Sequence, residues 1–264
     1  MIKVCVTGAA GKMGKTNIKV ISEDKESKLS GAIENVGSPY IGKDSGEIAG
    51  IGKNEILISD SLEKVIEDCD VVVDFSVVEC FVKNLNIVLN HNKAFVCGTT
   101  GLSTNMIDSA KKAGEKIPII WAPNFSMGIT LLNKIVELCA KTLGESFDAE
   151  IMEIHHRMKK DAPSGTALKL LNTLKKNYNT ENVIYGREGL IGERPLNQIG
   201  VSTLRGGDVV GEHTVYFFGQ GERLELTHKA SSRETFARGA LRAAKFIIQK
   251  GKGFYTMEEV LGLS

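Results

Sequence analysis

The sequence predicts an α/β protein, a doubly wound parallel sheet followed by a second domain of α+β type. Three observations carry this. A β-branched apolar run at the N-terminus gives way to a glycine turn and then to a helix-like segment. Short apolar runs then alternate with helix-period segments as far as Trp121, the pattern of strands joined by crossover helices. Beyond residue 195 three strand-like runs follow in succession, two of them joined by Gly219-Gln-Gly221, a hairpin signal absent from the first half.

Length and composition agree with two domains. The chain has 264 residues, enough for two units of about 100–200 residues each. Lys+Arg 33 against Asp+Glu 32 leaves a formal charge of +1, which favours neither nucleic acid nor an anionic membrane as partner. Five cysteines (Cys5, Cys69, Cys80, Cys97, Cys139), odd in number and without Cys-x-x-Cys spacing, suggest reduced thiols. No apolar run approaches the ~18 residues of a membrane span, and the N-terminus enters a strand pattern without a charged leader. The expectation is a soluble, cytoplasmic, unexported protein.

Ile2-Lys-Val-Cys-Val-Thr7 reads as the first strand, Gly8-Ala9-Ala10-Gly11-Lys12-Met13-Gly14 as the turn and residues 15–21 as the helix. Glycines let a turn tighten and let backbone approach a pyrophosphate, and the helix N-terminus adds N–H groups with partial positive charge. The spacing is Gly-x-x-Gly-x-x-Gly, shifted from the usual Gly-x-Gly-x-x-Gly, so the turn alone does not decide between cofactor and packing. A second strand, Leu29-Ser-Gly-Ala-Ile33, ends in Glu34. That residue lies 20 positions after Gly14, where a Rossmann-type fold places the carboxylate that bonds the adenosine ribose. Lys12 offers a cation near the phosphates.

Residues 37–54 are rich in Gly, Ser and Lys without periodicity, and a mobile loop on the adenosine side is expected. Asp70-Val-Val-Val-Asp74, Ala94-Phe-Val-Cys97 and Ile117-Pro-Ile-Ile-Trp121 then read as buried strands, with helices over 80–89 and 105–113. Residues 129–143 form an amphipathic helix. Strands follow over 147–152, 199–204, 212–218 and 223–228, with an antiparallel character in this block, and helices over 167–174, 234–249 and 257–261. His213 and His228 fall inside strands and are expected to be packed or hydrogen-bonded, and the five histidines show no spacing that favours a metal.

The chemistry concentrates in Glu153-Ile-His-His-Arg-Met-Lys-Lys-Asp-Ala-Pro-Ser-Gly-Thr-Ala167, placed after the strand that ends at Met152. Imidazole exchanges protons near neutrality, so His155 and His156 are candidate acids, with Lys159 as a nearby cation. Ser164 is placed to cap the following helix, and the Gly165 and Thr166 N–H groups at that N-terminus suit a carboxylate or phosphate.

This stretch resembles the signature of the dihydrodipicolinate reductases, Glu-x-His-His-x-x-Lys-x-Asp-x-Pro-Ser-Gly-Thr-Ala, with every fixed position filled. The resemblance covers nearly the whole chain. It implies a nicotinamide-dependent reductase of a cyclic imine dicarboxylate on the diaminopimelate route to lysine, acting without a metal. It implies that Gly98-Thr99-Thr100-Gly101 and Ala122-Pro123-Asn124-Phe125 line the nicotinamide half of the cofactor. By the same resemblance His155 donates the proton, Lys159 assists, and His156, Gly165, Thr166 and Arg233 hold the dicarboxylate. The family often carries an arginine where this chain has Asn35, so NADH is favoured over NADPH. The implied arrangement is a dinucleotide-binding domain over 1–126 and 234–264 with a substrate-binding and oligomerisation domain over 127–233. It is a homotetramer built through sheets of the second domains, closing about hinges near 127–128 and 233–234. A related dehydrogenase of the same layout, or a redox-sensing protein that binds NADH without reacting, are the alternatives; neither requires the complete His-His-x-x-Lys loop.

Overall fold

The computed structural model describes residues 1–263 and separates into two compact units, Met1–Met127 with Arg233–Ser264, and Gly128–Ser232. The first unit opens with β1 (Ile2–Thr7), α1 (Lys12–Glu23), β2 (Ser27–Ile33), α2 (Ser45–Ala49) and β3 (Ile58–Ser59). It continues through β4 (Val71–Asp74), α3 (Val78–Asn90), β5 (Ala94–Cys97), α4 (Thr104–Ala113) and β6 (Pro118–Trp121). All strands run parallel, in the order β3-β2-β1-β4-β5-β6 with a seventh strand beyond β6. The order reverses between β1 and β4, the switch point at which open α/β sheets bind ligands.

Alternation within these strands explains the two-faced burial. Val4 and Val6 enter one core cluster with Val71, Val73, Val96 and Ile120, while Cys5, Val72, Phe95 and Ile119 enter the other. A strand covered on both faces needs an unbroken apolar run, and β1, β4 and β5 supply it.

The second unit holds most of α5 (Met127–Leu143), then β7 (Asp148–His155), α6 (Gly165–Tyr178), β8 (Val183–Tyr185), β9 (Ile199–Arg205), β10 (Gly211–Phe218) and β11 (Arg223–Ala230). Its five-stranded sheet runs β11-β10-β7-β9-β8. Alternate residues Ala149, Ile151, Val201, Val215 and Phe217 pack against Leu170, Leu171 and Leu174 of α6 and Leu132 and Val136 of α5. The chain then re-enters the first unit as α7 (Glu234–Ile247), β12 (Gly253–Tyr255) and α8 (Met257–Val260). The seventh parallel strand is β12, paired with β6.

Three expectations change. Residues 37–54 are not a featureless loop. The buried Asp44 carboxylate caps α2 through Gly46 N (2.9 Å) and Glu47 N (3.1 Å), and also accepts from Glu55 N at 2.8 Å. The second sheet is mixed rather than antiparallel: β10 is antiparallel to β7 and β11, but β9 is parallel to β7 and β8. The long 186–198 connection and α6 allow the parallel pairings that a hairpin cannot make. Finally, β7 does not stop at Met152 but runs to His155, so Glu153 and His155 occupy inward strand positions, 0 % and 8 % exposed.

Candidate functional site

In the first unit the strand ends around the switch point form two clefts. One, of ≈ 510 Å³, is lined by Gly8, Gly11, Glu34, Asn35, Asp60 and Lys83 among others. The other, of ≈ 360 Å³, is lined by Met13, Phe75, Gly98, Thr99, Thr100, Pro123, Asn124, Phe125, Arg233 and Phe236, with Ser76. Gly8 has φ +68°, and a Cβ there would stand 2.9 Å from the Phe75 carbonyl oxygen. At Gly14 a Cβ would lie 2.0 Å from the Gly8 carbonyl oxygen, so this glycine is what lets α1 pack against the turn. Gly11 is the N-cap of α1 without a side-chain cap, and the first turn holds no acid. An N-terminus left uncapped by side chains, above a glycine turn, fits a pyrophosphate.

Glu34 lies against this turn, its Oε1 accepting from Ala10 N at 2.8 Å. Lys12 is exposed at the start of α1 and lines neither cleft. Ala9 and Ala122 are buried; the Ala9 N–H bonds the Ile33 carbonyl (3.0 Å) and the Ala122 N–H that of Cys97 (3.1 Å), which places both in the frame beneath the clefts. Beneath them too lies Asp74, fully buried at the end of β4. It accepts from Thr7 Oγ1, Ser76 N (3.1 Å), Thr99 Oγ1 (3.4 Å) and Cys97 Sγ (3.6 Å), joining the ends of β1, β4 and β5.

In the second unit the sequence signature folds about Glu153. Its Oε2 lies 2.5 Å from His155 Nδ1, its Oε1 accepts from Ser164 N at 3.1 Å, and Arg205 grips both oxygens at 2.9 Å. Burial alone would raise the Glu153 carboxyl, but hydrogen bonds from Arg205 and His155 hold it below the usual range. Burial likewise lowers the His155 imidazole, against the opposing pull of Glu153. His213 stands edge-on to His155, ring centroids 5.1 Å apart, with Nε2 2.9 Å from Ser164 Oγ; burial pushes it down to about 3, so it is neutral at pH 7. Ser164 caps α6 through Ala167 N (3.1 Å), with Gly165 and Thr166 in the first turn; a Cβ on Gly165 would meet nothing within 4 Å. Lys159 Nζ is held by both Asp161 oxygens at 2.8 Å, and the His156 N–H bonds the Val209 carbonyl at 2.8 Å.

The fold therefore gathers His155, His156, Lys159, Gly165 and Thr166 around one strand end and turn. Arg233 instead lines the first unit's cleft beside Thr99, Thr100 and Asn124. Glu153, Arg205, His213 and Asp74 were not singled out from sequence as site residues. An acid two positions before a histidine on a strand shares its face, a signal the alternation of β7 could have provided.

Family models for the dihydrodipicolinate reductase N-terminus and C-terminus match residues 2–125 and 128–261. The chain belongs to the dihydrodipicolinate reductase family. It is 45 % identical, over 100 % of both chains, to the 4-hydroxy-tetrahydrodipicolinate reductases of Geotalea daltonii and Syntrophotalea carbinolica. In fold it is similar to a dipicolinate-bound dihydrodipicolinate reductase from Paenisporosarcina sp. TG-14, with TM-score 0.77 and 23 % identity over 98 % of each chain. The N-terminal match makes the first unit the family's nucleotide-binding part, a Rossmann-type domain for NAD(P)H. No helix among the described residues is long and apolar enough to cross a membrane.

Proposed function

We propose that the protein reduces 4-hydroxy-tetrahydrodipicolinate to tetrahydrodipicolinate with a nicotinamide nucleotide, the reductive step of the diaminopimelate route to lysine. The observation that carries this is the buried Glu153–His155 pair beside the Ser164-capped turn, in a chain whose full length aligns with reductases of that name. One substrate carboxylate docks at the first turn of α6, on Gly165 and Thr166, with His156 and Lys159 as further donors. Loss of the 4-hydroxyl as water leaves a conjugated imine. NADH, when bound, supplies the hydride to the carbon that bore the hydroxyl. The electron pair displaced along the conjugated system leaves an enamine, and His155 protonates its carbon to regenerate the imine. The imidazole is re-protonated from solvent, so each turnover consumes one hydride and one proton.

NADH is the preferred cofactor in this reading: Glu34 and Asp60 line the adenosine-side cleft with Lys83 as their counter-charge, an environment that disfavours a 2′-phosphate. The reading also includes a cytoplasmic homotetramer without a resident metal. Support for the assembly is the sheet face opposite α6, where Tyr216 and Phe218 stack at 5.5 Å and Phe218 and Leu204 are exposed. The test is loss of NADH absorbance on adding freshly generated 4-hydroxy-tetrahydrodipicolinate, run beside NADPH and beside His155→Gln. Rapid oxidation that the variant lacks is expected; NADH binding without oxidation contradicts the reading. Sedimentation as a monomer at micromolar concentration would remove the tetramer.

A further inference from the structure

Glu153 is an acid that the hydride and proton transfers do not themselves require, yet it is fully buried and accepts five hydrogen bonds. Arg205 meets it with two parallel bonds at 2.9 Å, Nη1 to Oε2 and Nη2 to Oε1, and donates again to the Asp161 carbonyl at 2.7 Å. Ser164 N and Thr203 Oγ1 (3.3 Å) share Oε1, and His155 Nδ1 takes Oε2. An ionised carboxylate only accepts, so the hydrogen between it and a neutral imidazole must sit on Nδ1. That leaves Nε2 as the nitrogen that takes up a proton to form the imidazolium and then transfers it. Gly211 clears room for that nitrogen: a Cβ there would stand 3.0 Å from Nε2.

We propose that Glu153, locked by Arg205, is the positioning residue of this reductase. It selects the Nδ1–H tautomer of His155, stabilises the imidazolium during proton transfer, and through Ser164 N registers the proton donor against the turn that binds the carboxylate. The inference rests on His155 being the proton donor. The charged and titratable groups facing that imidazole are Glu153 on its own strand, Arg205 on β9, His213 on β10 and Lys159 from the following loop; of the four, only Glu153 favours the protonated ring. His228 on β11 bears on His213 rather than on His155.

The direct test is 15N NMR of the histidines in the intact protein at pH 8, with His155 assigned by the loss of its signals in His155→Gln. An Nδ1–H tautomer is expected, and an Nε2–H tautomer overturns the proposal. In parallel, Glu153→Gln should lower kcat by about 10–10²-fold, inside the range of a general-acid contribution, with KM for NADH unchanged. The limb of its kcat profile that falls with rising pH should move down by about one unit, since an amide cannot offset the imidazolium charge. Turnover within twofold of the parent with that limb unmoved would sink the idea. Because Glu153→Gln leaves Arg205 buried without its counter-charge, the double variant Glu153→Gln/Arg205→Gln is measured beside it and should keep a downward limb shift, smaller than in the single variant because the guanidinium itself disfavours the imidazolium. Parental turnover in His155→Gln would instead discard the donor assignment while leaving the tautomer result standing.

Discussion

Asp74 allows the coupling of fold and cofactor site to be tested in numbers. Replacing it with alanine strands the Ser76 N–H (3.1 Å) and the Thr7 hydroxyl, both donors in a region where the carboxylate is fully buried. Thr99 is less affected, because its hydroxyl also reaches the Ser76 carbonyl at 3.5 Å. At about 1–3 kcal/mol for each stranded buried donor, the variant loses roughly 2–6 kcal/mol. For a unit of this size each kcal/mol lowers Tm by about 2–4 °C, so the expected drop is at least about 4 °C. An asparagine in its place keeps an acceptor for Ser76 N and turns its amide toward Thr99 and Cys97, which can accept; Asp74→Asn should therefore lose less than half as much. Both variants loosen Thr7–Gly8 against Gly98–Thr99, so NADH affinity should fall with stability. Thermal unfolding and NADH titration by fluorescence measure the two effects. An alanine variant within 1 °C of the parent and with parental NADH affinity would refute the claim that this carboxylate holds the cleft together.

Other outcomes follow from the same geometry. Gly14→Ala places a Cβ 2.0 Å from the Gly8 carbonyl oxygen, and overpacking of about 1–3 kcal/mol should weaken NADH binding about tenfold or more in a titration. Ser164→Ala removes the α6 cap and the His213 partner, costing about 1–2 kcal/mol in denaturant unfolding; an unchanged midpoint would deny the cap its role. Lys159→Ala should lower turnover and raise substrate KM together, whereas an effect on NADH binding alone would contradict its placement beside His155. His213 and His155 both titrate lower in the folded protein than free histidine. The unfolded chain therefore binds their protons first, and stability is lost as pH falls below about 6.5, by at most ~1.4 kcal/mol per pH unit for each group. His213→Gln should flatten part of the decline in Tm between pH 6.5 and 4.

What could be read from sequence was whatever repeats with a structural period or strains the backbone. The apolar runs of β1, β4, β5 and β6 stood out because both faces of each are covered, and Gly8 and Gly14 because close backbone approach leaves no room for a Cβ. The 153–167 signature was legible as chemistry because no core calls for its residues. Strands of two or three residues, β3, β8 and β12, escaped because they show no alternation and exist only by pairing with a distant partner. Residues 37–54 looked featureless because a single buried Asp44 organises them through backbone N–H groups, which have no sequence pattern. The parallel pairing of β9 with β7, and with it the arrival of Arg205 at Glu153, depends on topology across 52 residues. The strand continues past Met152 to His155 although Glu153 and His155 are polar, because only their mutual pairing with Arg205, which no sequence period shows, makes their burial tolerable.

The proposed reaction turns on delivery of a hydride to one carbon of a cyclic imine dicarboxylate. It is tested most directly by incubating the protein with NADH deuterated at the transferring position and freshly generated 4-hydroxy-tetrahydrodipicolinate, then locating the label in the product by NMR. One deuterium on the carbon that carried the hydroxyl, in tetrahydrodipicolinate formed one for one with oxidised cofactor, is the predicted result. Deuterium at any other carbon, or oxidised cofactor without labelled product, would contradict it.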